Sequence, residues 1–231
     1  MEFVPTKATA TIATTLAKAP ASGGITLIYG HHGTGKRWGL DHAIGTREDL
    51  FSTLVVPTSE RPGARSFFGD IARELGLKVP NQWSAGELAI HIASHVRERG
   101  LTLVLNRAHR LRAAHMPLID YMVDLLPHLV IVGDYSAAER LLVDEATRVR
   151  VRRPQEIKPM DLAEVIALWG DELCEASLAA IHKRGKGLIS DITLAIDKHR
   201  DLATATQTEM RHMGLQETGS ILDTFLLSRA A

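Results

Sequence analysis

The chain has 231 residues, its 27 Lys and Arg balanced by 27 Asp and Glu, with 45% hydrophobic but only 5% aromatic content. At about 100–200 residues per domain, this length accommodates one α/β domain with an appendage or two small domains. The longest apolar runs, Leu103 to Leu105 and Leu129 to Val132, fall far below the roughly 20 residues that cross a bilayer. Zero net charge and few aromatic side chains also argue against a dedicated nucleic-acid binder. Glu2, Lys7 and Lys18 break up any leading apolar run. The single cysteine, Cys174, cannot form an internal disulfide. A cytoplasmic protein without membrane association is the expectation.

In chain order, the Ala- and Leu-rich stretch from Thr6 to Lys18 predicts a leading helix that stops before Pro20. Ile25 to Tyr29, β-branched and bounded by glycines, predicts a buried parallel strand. Similar runs at 53–56, 101–105 and 129–132 predict three more strands, and a fifth is expected from Arg148 to Gln155. Between them, 63–75 places Phe67, Phe68, Ile71 and Leu75 on one helical face. Ser84 and Glu87 form a capping box that opens a helix ending at Gly100. Helices are also expected at 117–126 and 136–143. Strand–helix alternation implies parallel pairing, right-handed crossovers and helices on both faces of the sheet. After Pro159 only helical patterns remain, at 161–168, 174–183, 189–202 and 219–227. The expected domains are an α/β core over 1–157 and a helical lid over 158–231.

Gly30-His31-His32-Gly33-Thr34-Gly35-Lys36 directly follows the first strand and fits the G-x-x-x-x-G-K core of a phosphate-binding loop. Glycines let backbone N–H groups wrap a phosphate, the following helix N-terminus adds positive potential, and the lysine reaches the terminal phosphates. Arg37 stands where the full motif has the Ser or Thr whose hydroxyl binds Mg²⁺, and arginine cannot ligate a cation. The loop's bland reading is a glycine turn joining strand to helix. His31 and His32 are further nucleotide-contact candidates. His91 and His95 share a helical face, but no third zinc ligand accompanies them, so no metal site is expected. Cys174 and Trp38 read as packing residues, the latter holding the first helix after the loop on the sheet.

From the leading helix to the lid, the chain resembles the AAA+ ATPases of DNA transposition, the group typified by phage Mu B-type target-capture proteins. That resemblance implies an α/β P-loop NTPase fold, a three-layer parallel sheet with a C-terminal helical lid. In that group the third strand commonly ends in Asp-Glu-Ala. Here it ends Asn106-Arg107-Ala108-His109, so both acidic residues are replaced. The resemblance implies a polar sensor at Asp134 and an arginine finger at Arg148. It also implies that a second sensor arginine is missing after Gly185-Lys186-Gly187-Leu188, and that Thr58, Ser59, Arg61 and Arg65 contact DNA phosphates. Arg37, Asn106 and Arg107 all bear on metal binding and water activation, so their joint replacement predicts weak binding of ATP or ADP or none, slow hydrolysis if any, and no ordinary Mg²⁺ site. The implied role is a DNA-associated regulator of transposition in a mobile element. Its expected partners are duplex DNA without sequence preference and a transposase. The expected assembly is a homo-oligomeric ring or filament, or a mixed assembly with an active homologue. The alternative is a non-enzymatic interaction module that regulates an active partner without touching DNA.

Overall fold

The structure, a computed structural model, describes residues 6–46, 51–55, 63–210 and 213–225. Five strands, β1 (Gly24–Tyr29), β2 (Phe51–Val55), β3 (Thr102–Asn106), β4 (His128–Val132) and β5 (Val151–Glu156), form one sheet in the order β2-β3-β4-β1-β5. All four pairings are parallel. Eleven α-helices are described: α1 (Lys7–Ser22), α2 (Lys36–Gly45), α3 (Ala64–Glu74), α4 (Ala85–Glu98), α5 (Met116–Leu125), α6 (Tyr135–Val143), α7 (Glu145–Arg148), α8 (Leu162–Trp169), α9 (Glu175–Gly185), α10 (Ile189–Thr206) and α11 (Leu215–Phe225). The fold is an α/β P-loop architecture with C-terminal helices.

The strand order follows from burial and handedness. Along β1 the side chains alternate between faces, yet Ile25, Leu27 and Ile28 are all buried, which requires cover on both sides. On one face Ile25, Leu27, Leu103, Leu105, Leu129 and Ile131 share a core with Phe67 and Phe68 of α3, Ile92 of α4 and Met122 of α5. Phe67 and Phe68 meet edge to face at 5.4 Å between ring centres, and truncating either to Ala would cost about 3–5 kcal/mol. The chain leaves β1 toward the β2 side and then returns strand by strand to β5. With right-handed crossovers, α2 therefore lies on the face opposite α3 to α7. Connections leaving β1 and β4 thus diverge, and the carboxyl ends of these neighbours frame a topological switch point.

Two compact units divide the described chain. One comprises 11–30 and 39–156, which hold the sheet; the other comprises 6–10, 31–38 and the helices from Ile157 onward. The division is not a single cut, because the phosphate-loop segment groups with the C-terminal helices. In that helical unit Val165, Leu178, Ile181, Ile192 and Ile196 form a second core, and the start of α1 is fastened to α8 through the ion pair of Lys7 with Asp161.

Three local expectations are corrected. α1 runs through Pro20 to Ser22; proline forfeits one hydrogen bond, while the Ser22 hydroxyl donates to the carbonyls of Lys18 and Ala19. Arg148 ends α7 rather than opening a strand, because Asp144 caps that turn by accepting the Thr147 N–H at 2.9 Å, and β5 starts at Val151. α11 begins at Leu215, four residues before the expected start, where the Glu217 carboxylate accepts the Gly214 N–H at 3.0 Å.

Candidate nucleotide-phosphate site

The loop that leaves β1 is closed on itself by its own side chains. The Thr34 hydroxyl donates to the His31 carbonyl at 2.9 Å, and the Lys36 ammonium donates to the same carbonyl at 2.7 Å and to Thr34 Oγ1 at 3.3 Å. Gly33 and Gly35 lie at φ of +81° and +82°, a region that side chains other than glycine rarely occupy. α2 begins at Lys36, so the positive end of that helix follows the loop directly. His31, His32 and Arg37 are exposed, and Thr34 is buried.

These residues fit a phosphate. Left-handed glycines, a helix N-terminus and a lysine held over the loop supply the donors such a group requires. They do not fit Mg²⁺ in the usual manner, since Arg37 offers no oxygen at the position that follows the lysine.

The sheet unit carries the other predicted residues at the carboxyl ends of its strands. Asn106 closes β3, and its side-chain oxygen accepts the backbone N–H of Arg107 at 2.8 Å. Arg107 is left-handed, at φ +60° and ψ +42°. Gly133 follows β4 and donates its N–H to the carbonyl of Ile28 on β1 at 3.0 Å. Asp134 caps α6, accepting from the Ala137 N–H at 3.0 Å and the Ser136 hydroxyl at 2.7 Å. A ligand atom of His109 lies within 4.8 Å of one of Asp134. Arg140 fixes the segment between them, donating to the carbonyls of His109 at 3.0 Å and Leu111 at 2.5 Å. Arg148 is exposed on α7.

Of the predicted DNA contacts, Thr58, Ser59 and Arg61 lie outside the described residues. Arg65 is committed elsewhere: its guanidinium donates to the carbonyls of Trp83 at 2.8 Å, Asn81 at 2.9 Å and Pro80 at 3.1 Å. It pins the turn that precedes α4.

Other side chains depart from or add to the reading of the sequence. Trp38 packs against the core of the helical unit, not as an anchor of α2 on the sheet. It lies three residues after Gly35, within the segment that groups with those helices, and helical periodicity alone cannot tell which apolar surface a residue meets. Cys174 is exposed at the N-cap of α9 rather than buried in its stripe. Tyr135, at the start of α6, donates its hydroxyl to Glu156 at 2.6 Å and stands edge-on to Tyr29 at 5.7 Å. This ties together the carboxyl ends of β1 and β5. Ser190 also reaches the phosphate loop. No sequence motif marks either contact.

No family model matches the sequence, and no curated protein matches it by sequence. Solved structures do. Cdc6p from Pyrobaculum aerophilum is 18% identical, with a TM-score of 0.67 over 90% of this chain and 65% of that protein. The chain shares the α/β P-loop fold of that structure. The same fold matches the Aeropyrum pernix ORC2 protein, solved as ADPNP–ADP complexes, with 12% identity and a TM-score of 0.66 over 94% of this chain and 66% of that one. It also matches the Aeropyrum pernix ORC1 protein in complex with DNA, with 16% identity and a TM-score of 0.64 over 96% of this chain and 65% of that one. The chain thus spans just under two thirds of the length of these proteins. Among the described residues, no helix is long and apolar enough to cross a membrane.

Proposed function

We propose that this chain is a nucleotide-binding, hydrolysis-impaired AAA+ regulator that associates with DNA. The observation that carries the proposal is the loop of residues 30–37. It keeps every element that holds phosphate, including left-handed Gly33 and Gly35 and the Lys36 ammonium. The positions that would bind metal and activate water are instead Arg37, Asn106 and Arg107. The loop's N–H groups and Lys36 hold the phosphates of ATP or ADP, and Arg37 offers a fixed charge beside them. Without a carboxylate at 106 or 107, no side chain there deprotonates an attacking water. Asp134 keeps the sensor position and Arg148, exposed on α7, the arginine-finger position. DNA association is supported by the likeness to ORC1, solved with DNA. A role in transposition, beside a transposase and in an oligomeric assembly, is supported by the resemblance that runs in order from the leading helix to the lid.

Calorimetric titration of ADP and ATP into wild type and Lys36→Ala, with and without Mg²⁺, tests the nucleotide reading. Binding that vanishes with Lys36 and is indifferent to Mg²⁺ is expected. Equal heats from both proteins, or steady Mg²⁺-dependent turnover, would overturn it. The second reading, an interaction module that leaves DNA alone, is favoured by Arg65, which spends three of its five N–H donors on carbonyls. A salt-dependent mobility shift with duplex DNA separates the two readings.

A further inference from the structure

The phosphate loop is held by the C-terminal helices. Ser190, the second residue of α10, donates its backbone N–H to the Gly33 carbonyl at 3.2 Å. A Cβ placed on Gly33 would collide with Ser190 Oγ and touch Leu188 Cβ at 3.4 Å; one on Gly35 would meet Ile189 Cγ2 at 3.2 Å. The first turn of α10 therefore covers the side of the loop where these glycines lack side chains. Its approach is set by a left-handed pair, Lys186 at φ +51° and Gly187 at +71°. That turn is tied to the β5 exit by the Met160 N–H, which donates to the Gly187 carbonyl at 2.8 Å. A Cβ on Gly187 would strike the Met160 carbonyl, so the close approach requires glycine there.

We propose that Ser190 is a positioning residue for phosphate binding, and that its backbone N–H sets the loop conformation before any nucleotide arrives. The proposal rests on the nucleotide reading above. It assigns Gly33 a second duty: its carbonyl must face α10 while its left-handed φ turns neighbouring amides toward the phosphate. The N–H at the second position of a helix has no intrahelical acceptor, so the bond to Gly33 supplies a partner that α10 itself cannot. The Ser190 side chain is exposed and its hydroxyl donates to Asp191 at 3.2 Å, so the backbone rather than the hydroxyl does the positioning.

Two measurements on the full chain test this. In nucleotide-free protein, amide hydrogen exchange resolved to single residues should find the Ser190 N–H protected, whereas an N–H left to solvent at a helix start exchanges freely. Free exchange at Ser190 would overturn the proposal whether or not the chain binds nucleotide. Ser190→Ala retains the N–H, while Ser190→Pro removes it at a first-turn position where helices tolerate proline. By calorimetry with ADP, Ser190→Ala should match wild type within about twofold. Ser190→Pro should bind roughly tenfold more weakly, the upper range for one hydrogen bond, with faster exchange at Gly33 and Gly35. Equal affinity for the two variants would also overturn the proposal. Unchanged exchange in the second core, at Ile192 and Ile196, separates loss of positioning from unfolding. If wild type and Lys36→Ala bind ADP alike, the nucleotide reading falls, while protection of Ser190 still decides whether α10 sets the loop.

Discussion

Asn106 Oδ1 accepts the backbone N–H of Arg107 at 2.8 Å, and Arg107 sits in the left-handed region at φ +60°. The pair occupies the end of β3 with a neutral amide that serves its own neighbour and a cation in a conformation costing about 1–2 kcal/mol for a residue with a Cβ. Restoring acids should therefore matter only in combination. Asn106→Asp with Arg107→Glu and Arg37→Thr should yield Mg²⁺-dependent phosphate release above the wild-type rate, whereas Arg107→Glu alone should not. Turnover of the wild type equal to that of the triple variant would contradict this account.

The same residue yields a stability prediction. Arg107→Gly removes the left-handed penalty and adds the entropy cost of glycine, about 0.5–1 kcal/mol. The net gain should be about 0.5–1 kcal/mol, a rise of roughly 1–4 °C in Tm for a chain of this size. A fall in the melting temperature would show that the Arg107 side chain makes a stabilising contact.

Acid should weaken the sheet unit. His128 is buried, Thr102 Oγ1 lies 2.6 Å from its Nε2, its Nδ1 lacks a hydrogen-bond partner among the described residues, and burial holds its pKa below the ordinary 6.5. Burial lowers His115 and His95 as well. A histidine whose folded pKa is depressed contributes stability that is full above the unfolded value and is lost as pH falls below it, toward the folded value. Urea midpoints should therefore be flat above pH 7 and decline below about 6.5. The double variant Thr102→Val/His128→Leu should show a shallower acid limb; an unchanged limb would remove His128 from the explanation.

Much of this was legible in the sequence because it depends on local chemistry. A short β-branched run and bounding glycines marked β1, and the Ser84–Glu87 capping box appears with both of its hydrogen bonds at the start of α4. The loop was readable because Gly33, Gly35 and Lys36 are each required by backbone geometry at fixed spacing. Long-range partners were not readable. Arg65 has the composition of a phosphate contact, yet three carbonyls 15 to 18 residues away claim it. Trp38 follows the motif closely, but the surface it covers comes from helices more than 100 residues later. Cys174 fitted an apolar helical pattern, and only its place as the cap, outside the first turn, leaves it exposed.

The helical unit contains a buried polar chain whose loss should be costly. His199, Thr218 and Ser177 are all fully buried. One ring nitrogen of His199 bonds the Ala195 carbonyl at 2.7 Å, the other bonds Thr218 Oγ1 at 3.0 Å, and Thr218 Oγ1 lies 3.0 Å from Ser177 Oγ. These contacts join α9, α10 and α11. Thr218→Val keeps the shape but leaves one His199 ring nitrogen without its partner and Ser177 Oγ with Cys174 alone, and an unsatisfied buried group costs about 1–3 kcal/mol. A drop in the urea midpoint of that size is expected, against a near-neutral effect for the exposed Thr224→Val. Equal effects would place the network outside the stability of these helices.

Cys174 should be reactive despite its structural setting. Its Sγ lies 3.3 Å from Ser177 Oγ, and hydrogen bonds from the Ser177 hydroxyl and backbone N–H to the thiolate lower its pKa from the ordinary 9.0. Its place at the N-cap of α9 adds the positive end of a helix. The thiolate is the nucleophile, so iodoacetamide at pH 8 should modify Cys174 in the folded chain faster than it modifies the urea-unfolded chain. Ser177→Ala should slow the reaction several-fold by removing the main cause of the shift. Slower modification in the folded state would mean that access, not thiolate content, governs the residue. Because Cys174 lies away in sequence from the phosphate loop and from Ser190, Cys174→Ser should leave ADP affinity unchanged, and a loss of binding in that variant would couple the α9 cap to the loop.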